Sequence, residues 1–164
     1  MKNSVNVKMI GNWKGAVKTA ALLNPVIKKS IVQGQRKYAR RLVAIVKKHI
    51  ISQDLGWKPA SASKRGSLLM IDTRDYYTSI RYWQKNYELH VGVPTHLIHG
   101  RSGKPIWKIA SWQEQGNKRV PKRPLWAPSI KEMGGNKEVA NQVQQEITRN
   151  LRAISNGAWE IKST

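Results

Sequence analysis

Three histidines in the middle of the chain are the first residues whose type and spacing suggest chemistry. His90, His96 and His99 present imidazole groups of the kind that bind metal ions. Zinc requires three or four ligands and usually carboxylates that orient them. The chain has no cysteine, and Glu88 is the nearest carboxylate. We therefore predict that these histidines bind no metal and that the protein uses no cofactor.

A second chemistry to consider is metal-dependent cleavage of nucleic acid, which needs clustered acidic residues around Mg²⁺. Asp75 and Glu88 lie on neighbouring segments that read as β-structure. The position two residues after Glu88, where such a site would have a lysine, is His90. No nucleophile-elbow sequence surrounds the serines that we considered, Ser67, Ser79 and Ser129. The sequence therefore predicts no catalytic residues, and a nuclease is a hypothesis to be tested.

Positive charge is the dominant feature of the sequence. The 164 residues include 30 Lys and Arg against 9 Asp and Glu, which gives a formal net charge of +21. Residues 1–53 carry twelve basic residues and no acidic residue. Net charge bears on partners more than on fold. The classes of partner compatible with this charge are nucleic acid, an anionic membrane surface and acidic protein subunits.

Much of this charge follows the periodicity of a long helix, predicted from about Pro25 to Gln53 with Asn24 as its N-cap. An apolar stripe along it comprises Ile27, Ile31, Tyr38, Leu42, Ile45 and Val46. The residues that break the pattern are Val26, Lys28 and Ile51. The first basic row is Lys29, Arg36, Arg40 and Lys47, and the second basic row is Lys37, Arg41 and Lys48.

The two basic rows have no acidic residue within their own helix. Like-charged pairs four residues apart, such as Arg36 with Arg40, each destabilise a helix by roughly 0.2–0.5 kcal/mol. A partner that supplies negative charge explains this pattern better than a merely solvated face does. DNA is the leading partner, because phosphate contacts do not depend on sequence. Acidic faces of neighbouring subunits are the alternative.

A further basic cluster suits DNA and a subunit interface equally well, and it consists of Lys118, Arg119, Lys122 and Arg123. No zinc-finger, helix-turn-helix or RNP-like pattern indicates base-specific recognition. Three tryptophans could stack on bases, but their β-rich context favours packing in the core: Trp83, Trp107 and Trp112.

The remaining elements are a small sheet and a second helix. Residues 5–9 alternate as in a strand, and a short helical piece is predicted around residues 13–23. Residues 78–84 and 87–93 alternate around Lys85-Asn86 as a β-hairpin. Residues 54–67, 94–105 and 117–129 read as loops or irregular segments, the last because of its three prolines. A final helix over about residues 136–155 has a core stripe of Val139, Val143, Ile147, Leu151 and Ile154.

These elements predict an α+β fold. A small antiparallel β-sheet packs against one long N-terminal helix, with a C-terminal helix, in a single domain over residues 1–164. No apolar run approaches the ~18 residues that span a bilayer, and the N-terminal residues lack the apolar region of a signal peptide. We expect a soluble protein without a cleaved secretion signal and without a membrane partner. The absence of cysteine fits a reducing compartment.

The order of several short motifs resembles that of a known protein family. The first motif is T-x-x-(L/Y)-x-x-S-I, matched by Thr73, Tyr76, Ser79 and Ile80. Val91-Gly92-Val93 follows, then an A-x-x-x-E-x-G motif at residues 110–116, with Trp112 inside it, and Arg-Pro-Leu-Trp-Ala-Pro at residues 123–128. With the long helix and the hairpin, this order over about residues 5–155 resembles the neck and tail-completion family of tailed bacteriophages. The chain departs from the family pattern at Arg74, Gln115 and Leu125-Trp126.

The resemblance implies a structural virion protein without enzymatic activity, assembled in the host cytoplasm. It implies a homo-oligomeric ring in the neck of the particle, for which we expect a hexamer. Its neighbours would be a portal, adaptor or head-closure protein on one side and a tail terminator or tail tube protein on the other. Genomic DNA passes through such a ring, so basic residues lining the channel would contact it. The alternative is a non-specific nucleic-acid-binding or packaging protein.

The residues matched to the family motifs are expected to have structural roles, and they include Thr73, Ser79, Ile80, Glu114, Gly116, Arg123 and Pro124. Glu114 is one of few acidic residues, so we expect either an ion pair, with Arg123 as its candidate partner, or simple exposure. Gly116 is expected at positive φ. The stiff Arg123-Pro124 segment is expected to place Trp126 in the core, or else against a neighbouring subunit.

Overall fold

A computed structural model describes residues 13–57, 74–85, 88–118 and 121–155, with side chains of the first helix described from Leu23 onward. The elements in chain order are α1 (Trp13–Ser52), α2 (Asp75–Ser79), β1 (Arg81–Lys85), β2 (Glu88–Gly92), α3 (Ile106–Gln115), α4 (Trp126–Glu132) and α5 (Gly135–Ser155). The predicted α+β class, long N-terminal helix, antiparallel sheet and C-terminal helix are confirmed. The predicted strand at residues 5–9 and most of the predicted loop at 54–67 lie outside the described residues.

The long helix begins earlier than predicted. α1 runs for 40 residues, about 60 Å, and Pro25 lies inside it rather than at its start. An internal proline lacks an N–H donor and costs a helix about 3 kcal/mol. Packing against α5 opposes that cost: Val26 is 2% exposed, Ser30 is fully buried, and the Ser30 hydroxyl accepts a 2.9 Å hydrogen bond from Asn150. The helix-start signal at Asn24-Pro25 was therefore misleading.

The hairpin is confirmed, but its first strand is shorter than predicted, and Lys85, predicted in the turn, is the last residue of β1 and pairs with Glu88. β1 pairs with β2 antiparallel, in a register that places Tyr82 opposite Val91 and Trp83 opposite His90. The preceding residues, predicted as β-structure, form α2 instead. Arg74, at φ 61°, begins this turn, and the Thr78 hydroxyl donates to the Arg74 carbonyl over 3.0 Å. Such local side-chain hydrogen bonds compete with strand pairing.

The segment 117–129, predicted to be irregular, is helical from Trp126 onward, since α4 begins there. Pro128 lies in the first turn of α4, where backbone N–H groups have no partner within the helix and proline is tolerated. The apolar segment before it forms α3, with Gly116 as its C-cap.

The core lies where the C-terminal half of α1 meets the hairpin, α2, α3 and α4. Its largest fully buried apolar side chains include Val46, Ile50, Ile80 and Leu125. The predicted stripe is confirmed at Tyr38, Leu42 and Val46, but Ile27 is 36% exposed. Val26 was expected to break the stripe and is buried, because the N-terminal half of α1 turns a different side towards α5.

The predicted core stripe of α5 is less buried than expected, although Val139 packs against the core. All five of its apolar residues are only partly buried. The buried α5 side chains are Glu146 and Asn150, at 2% and 6% exposure. The Asn150 amide donates to Ser30 and, over 3.0 Å, to Gln33, so the contact between α1 and α5 is built around polar groups.

His49, at the end of α1, is buried between two carboxylates. Its Nδ1 lies 2.6 Å from Asp54 Oδ1, and its Nε2 lies 2.8 Å from Glu132 Oε2 of α4. The second contact is off the hydrogen-bonding direction and acts as an electrostatic contact. The hydrogen bond with His49 lowers the pKa of Asp54. His49 thereby connects α1 to α4. Across the described residues, no helix combines the length and apolar character needed to cross a membrane.

Candidate nucleic-acid interface

The first basic row lies along the hairpin. Arg36 Nε donates to Gln84 Oε1 over 3.1 Å, and Arg40 Nε donates to the Tyr82 hydroxyl over 3.0 Å. Both arginines are exposed. The hydrogen bond with Tyr82 raises the pKa of Arg40 above its usual value. Because these two contacts use only the Nε–H of each guanidinium, the end-on pair of terminal N–H groups suits bidentate contact with phosphate.

The two lysines of the first basic row extend the same side of α1. Lys29 is exposed near the N-terminal end of the described side chains. Lys47 is partly buried, and its Nζ lies 5.1 Å from the centre of the Tyr77 ring, a cation–π contact. The row therefore runs for about five helical turns beside β1 and α2.

The second basic row has acidic partners that the helix alone does not reveal. Lys37 pairs with Glu146, and Arg41 Nη1 lies 3.0 Å from Glu138 Oε1. Both acids belong to α5. Lys48, the third member of the row, is exposed. The missing acids of α1 are thus partly supplied from within the chain, by a helix about a hundred residues further along.

Glu146 is the buried centre of this contact. Its side chain is 3% exposed, and Arg149 Nη2 lies 2.6 Å from Oε2 without good hydrogen-bond alignment, so that oxygen relies on electrostatic contact. Lys37 completes the group from α1. Glu138 is more accessible, and its pKa is lowered first by a hydrogen bond from Gln142 and then by Asn141 and Arg41. Lys37 and Arg41 therefore serve the packing of α5 as well as the surface charge.

The second candidate patch is smaller than predicted. Lys118 and Lys122 are exposed, and Arg119 lies outside the described residues. Arg123 is 3% exposed and donates through Nη1 to Gln113 Oε1 over 2.8 Å. Burial lowers the pKa of Arg123. Arg123 is therefore a structural residue of the α3–α4 connection and not part of a surface patch.

Glu114 does not form the expected ion pair with Arg123. Its Oε2 accepts hydrogen bonds from the backbone N–H groups of Leu125, at 2.7 Å, and Trp126, at 3.3 Å. These donors open α4, where N–H groups have no partner within the helix and a carboxylate is favourable. Glu114 thus ties α3 to the start of α4, a role that neither expectation included.

Gly116 has the positive φ that was predicted, at 78°. A Cβ at this position would lie 3.0 Å from the Lys122 backbone nitrogen, so the backbone at Lys122 leaves no room for a side chain here. Pro124 accepts a 3.1 Å hydrogen bond through its carbonyl from Trp57 Nε1. Trp126 packs against the core, as predicted. Of the other motif residues, Ser79 and Ile80 are buried, and Thr73 lies outside the described residues.

The three histidines are distributed over different contacts. His90 stacks on Trp83, His96 Nε2 lies 3.3 Å from Arg81 Nη2, and His99 Nδ1 accepts from the Ser102 backbone N–H over 3.1 Å. Asp75 Oδ2 accepts from the Gly100 N–H over 2.9 Å. Within the described ranges, no three His, Cys, Asp or Glu side chains group closely enough to hold a metal ion. Asp75 and Glu88 thus do not combine with His90 into a nuclease-like cluster there.

Two of the three tryptophans expected in the core are on the surface. Trp83 is 38% exposed and Trp107 is 40% exposed, whereas Trp112 is partly buried. The stacked pair of Trp83 and His90 was not anticipated. A two-residue turn at Lys85-Asn86, as predicted, would have placed Trp83 opposite Glu88, so the pair could be recognised only from the observed register, in which Lys85 pairs with Glu88.

No family model, no curated protein and no solved structure matches the chain.

Proposed function

We propose that the protein is a structural subunit of the neck of a tailed bacteriophage, forming a homo-oligomeric ring around the DNA channel. The observation that carries the DNA contact is the first basic row, in which Arg36 and Arg40 are exposed and held at Nε by the hairpin. The ordered motifs carry the assignment to the neck. In this proposal the ring joins the portal, adaptor or head-closure protein to the tail terminator or tail tube protein.

The geometry of the first basic row suits a backbone contact. Arg36 and Arg40 are one helical turn apart, about 6 Å along α1, so two guanidinium forks face the same side at a spacing that neighbouring phosphates can occupy. Such contacts are independent of base sequence and weaken with added salt. A ring would repeat this row in every subunit, so that DNA could pass without a fixed register.

The motif residues support a structural role. Glu114, Gly116 and Arg123 hold the connection between α3 and α4 through a cap, a close backbone approach and a buried hydrogen bond. Their polar groups are used in these internal contacts. A connection of this kind fixes the shape of a subunit, which is what a ring component requires.

The assembly part of the proposal is tested on particles and on the isolated protein. We expect the protein in purified virions, and a closed ring of uniform size by native mass spectrometry or electron microscopy. The genes around its own should encode portal, capsid and tail proteins. A protein that is only monomeric and absent from particles would contradict the proposal.

The DNA contact is tested with Arg36→Gln/Arg40→Gln in a duplex-binding titration at several salt concentrations. Loss of two phosphate contacts should weaken binding and make the slope of log affinity against log salt shallower by about two. The matched control is Lys131→Gln/Lys137→Gln, which removes the same charge from exposed positions on α4 and α5. Equal losses in both variants would show a general charge effect and not a site.

The alternative is a non-specific nucleic-acid-binding or packaging protein, favoured by the accessibility of the first basic row in a single subunit. It predicts tight binding of free duplex by the monomer, with a steep salt dependence. Tight duplex binding without ring formation or presence in particles would favour this alternative over the neck subunit.

A further inference from the structure

The outer face of the hairpin carries an aromatic pair that the DNA contact proposed above does not use. Side chains alternate along a strand. Tyr82 and Gln84 of β1 contact Arg40 and Arg36 on α1, so Trp83 between them lies on the opposite face. We propose that Trp83 and His90 form a base-stacking platform for single-stranded nucleic acid.

The geometry of the pair is that of a flat, partly open surface. The two ring centres are 5.4 Å apart and the ring planes differ by 8°. Trp83 is 38% exposed although it is one of the largest apolar side chains. A cross-strand aromatic pair stabilises a hairpin by roughly 0.2–1 kcal/mol, which explains the stack. It does not explain why so much of an indole is presented to solvent.

Trp107, which is also exposed, has a neighbour that Trp83 lacks. Lys108 Nζ lies 5.6 Å from the centre of the Trp107 ring, so the chain already supplies a cation to that face. The partly buried Trp112 has a similar contact with Lys104 at 5.1 Å. Trp83 instead stacks on the His90 ring, and an incoming base continues that stack. Trp83 and Trp107 have almost equal exposure, which makes Trp107 the natural control.

The surrounding charge suits a nucleic-acid strand. Residues 74–108 contain six Lys and Arg against two acidic residues, a net charge of +4. One acid, Asp75, accepts a hydrogen bond from the Gly100 N–H. The other, Glu88, lies 3.6 Å from His90 at the edge of the platform. Arg81 is exposed on the same face as Trp83, in position to meet a phosphate beside a stacked base.

An aromatic stacking platform should bind single-stranded nucleic acid in preference to duplex. Bases in a duplex are stacked on each other and are not accessible to a surface ring. In a single strand every base offers a π-face, so an aromatic platform beside cationic groups binds without sequence preference. The platform therefore goes beyond the duplex contact of the first basic row, which involves phosphate alone.

The test compares Trp83→Ala with Trp107→Ala by fluorescence anisotropy, with a labelled single strand of about 16 nucleotides and a duplex of equal length. We expect Trp83→Ala to weaken single-strand binding roughly 5- to 150-fold, the value for one lost stacking contact. Duplex binding by this variant and both affinities of Trp107→Ala should stay within about twofold of the unsubstituted protein.

A second variant separates stacking from folding. Trp83→Tyr keeps an aromatic ring and should retain most of the single-strand affinity, whereas a variant that is merely misfolded would lose duplex binding as well. Equal effects of Trp83→Ala and Trp107→Ala would overturn the platform. Unchanged single-strand binding by Trp83→Ala, with a smaller oligomer in sedimentation, would also overturn it and assign this face to a second copy of the chain. Failure of the platform leaves the Arg36 and Arg40 titration unaffected, so the two proposals fail separately.

Discussion

Gly34 of α1 and Val143 of α5 approach each other so closely that a Cβ at position 34 would lie 2.6 Å from the Val143 Cα. The two backbones meet here without a side chain between them. The polar contacts of Asn150 and Glu146 lie on one side of this point along α5, and that of Glu138 lies on the other. The close approach therefore sets the spacing at which the polar side chains of the two helices reach each other.

Gly34→Ala should destabilise the protein. Helix propensity alone favours alanine by about 1 kcal/mol, but overpacking a fitted contact costs about 1–3 kcal/mol, and here the obstacle is backbone. We expect a lower melting temperature and a lower free energy of unfolding in urea. Ala44→Gly, at an exposed position of the same helix, measures the propensity term by itself. A Gly34→Ala protein more stable than the original would contradict the close approach.

Gly116→Ala should cost more stability than Gly103→Ala. Both glycines have positive φ, at 78° and 64°, which costs a non-glycine residue about 1–3 kcal/mol. A Cβ at Gly103 would meet nothing within 4 Å, whereas at Gly116 it would press on the Lys122 backbone. The difference in unfolding free energy between the two variants measures the steric part. Equal losses would show that backbone conformation is the whole effect.

Glu146→Gln should loosen α5 from α1. The substitution leaves Lys37 and Arg149 without the carboxylate between them, and losing hydrogen bonds to a charged group costs about 1.5–3 kcal/mol. Hydrogen exchange of the α5 amides should increase more than that of the hairpin. Lys37→Met/Glu146→Leu should recover part of the loss, because an apolar pair avoids the burial of charge. If the double variant is less stable than Glu146→Gln, the ion pair itself is the main stabilising feature.

Stability at acid pH should depend on Asp54. The hydrogen bond with His49 lowers the pKa of Asp54 in the folded protein, so the unfolded chain binds more protons over the titration range. The contribution is therefore complete above the unfolded pKa of about 3.9 and is lost as pH falls through the lower folded value. Thermal melts between about pH 2 and pH 6 should show a shallower fall in melting temperature for Asp54→Asn. An identical pH profile would exclude this contribution.

Local patterns were sufficient for most of the secondary structure. The alternation around Lys85-Asn86 predicted the hairpin, and the periodicity of residues 136–155 predicted α5 almost to the residue, because these patterns reflect side-chain direction within one element. The positive φ of Gly116 was likewise predicted from a local pattern. Pro25 was misread as the start of a helix. The free-energy cost of a proline inside α1 is outweighed by the burial of the residues that follow it, and that burial depends on contact with α5.

The sequence by itself determined that this chain is an α+β protein with a strongly cationic long helix, since composition and periodicity are properties of neighbouring residues. Only the tertiary structure decided what each charge does. Arg36 and Arg40 are held by the hairpin and stay exposed, whereas Lys37 and Arg41 meet acids of α5. In the two ion pairs between α1 and α5, Arg41 and Glu138 are 97 positions apart, and Lys37 and Glu146 are 109 positions apart. No local pattern specifies such pairs, because they exist only once two distant helices have packed.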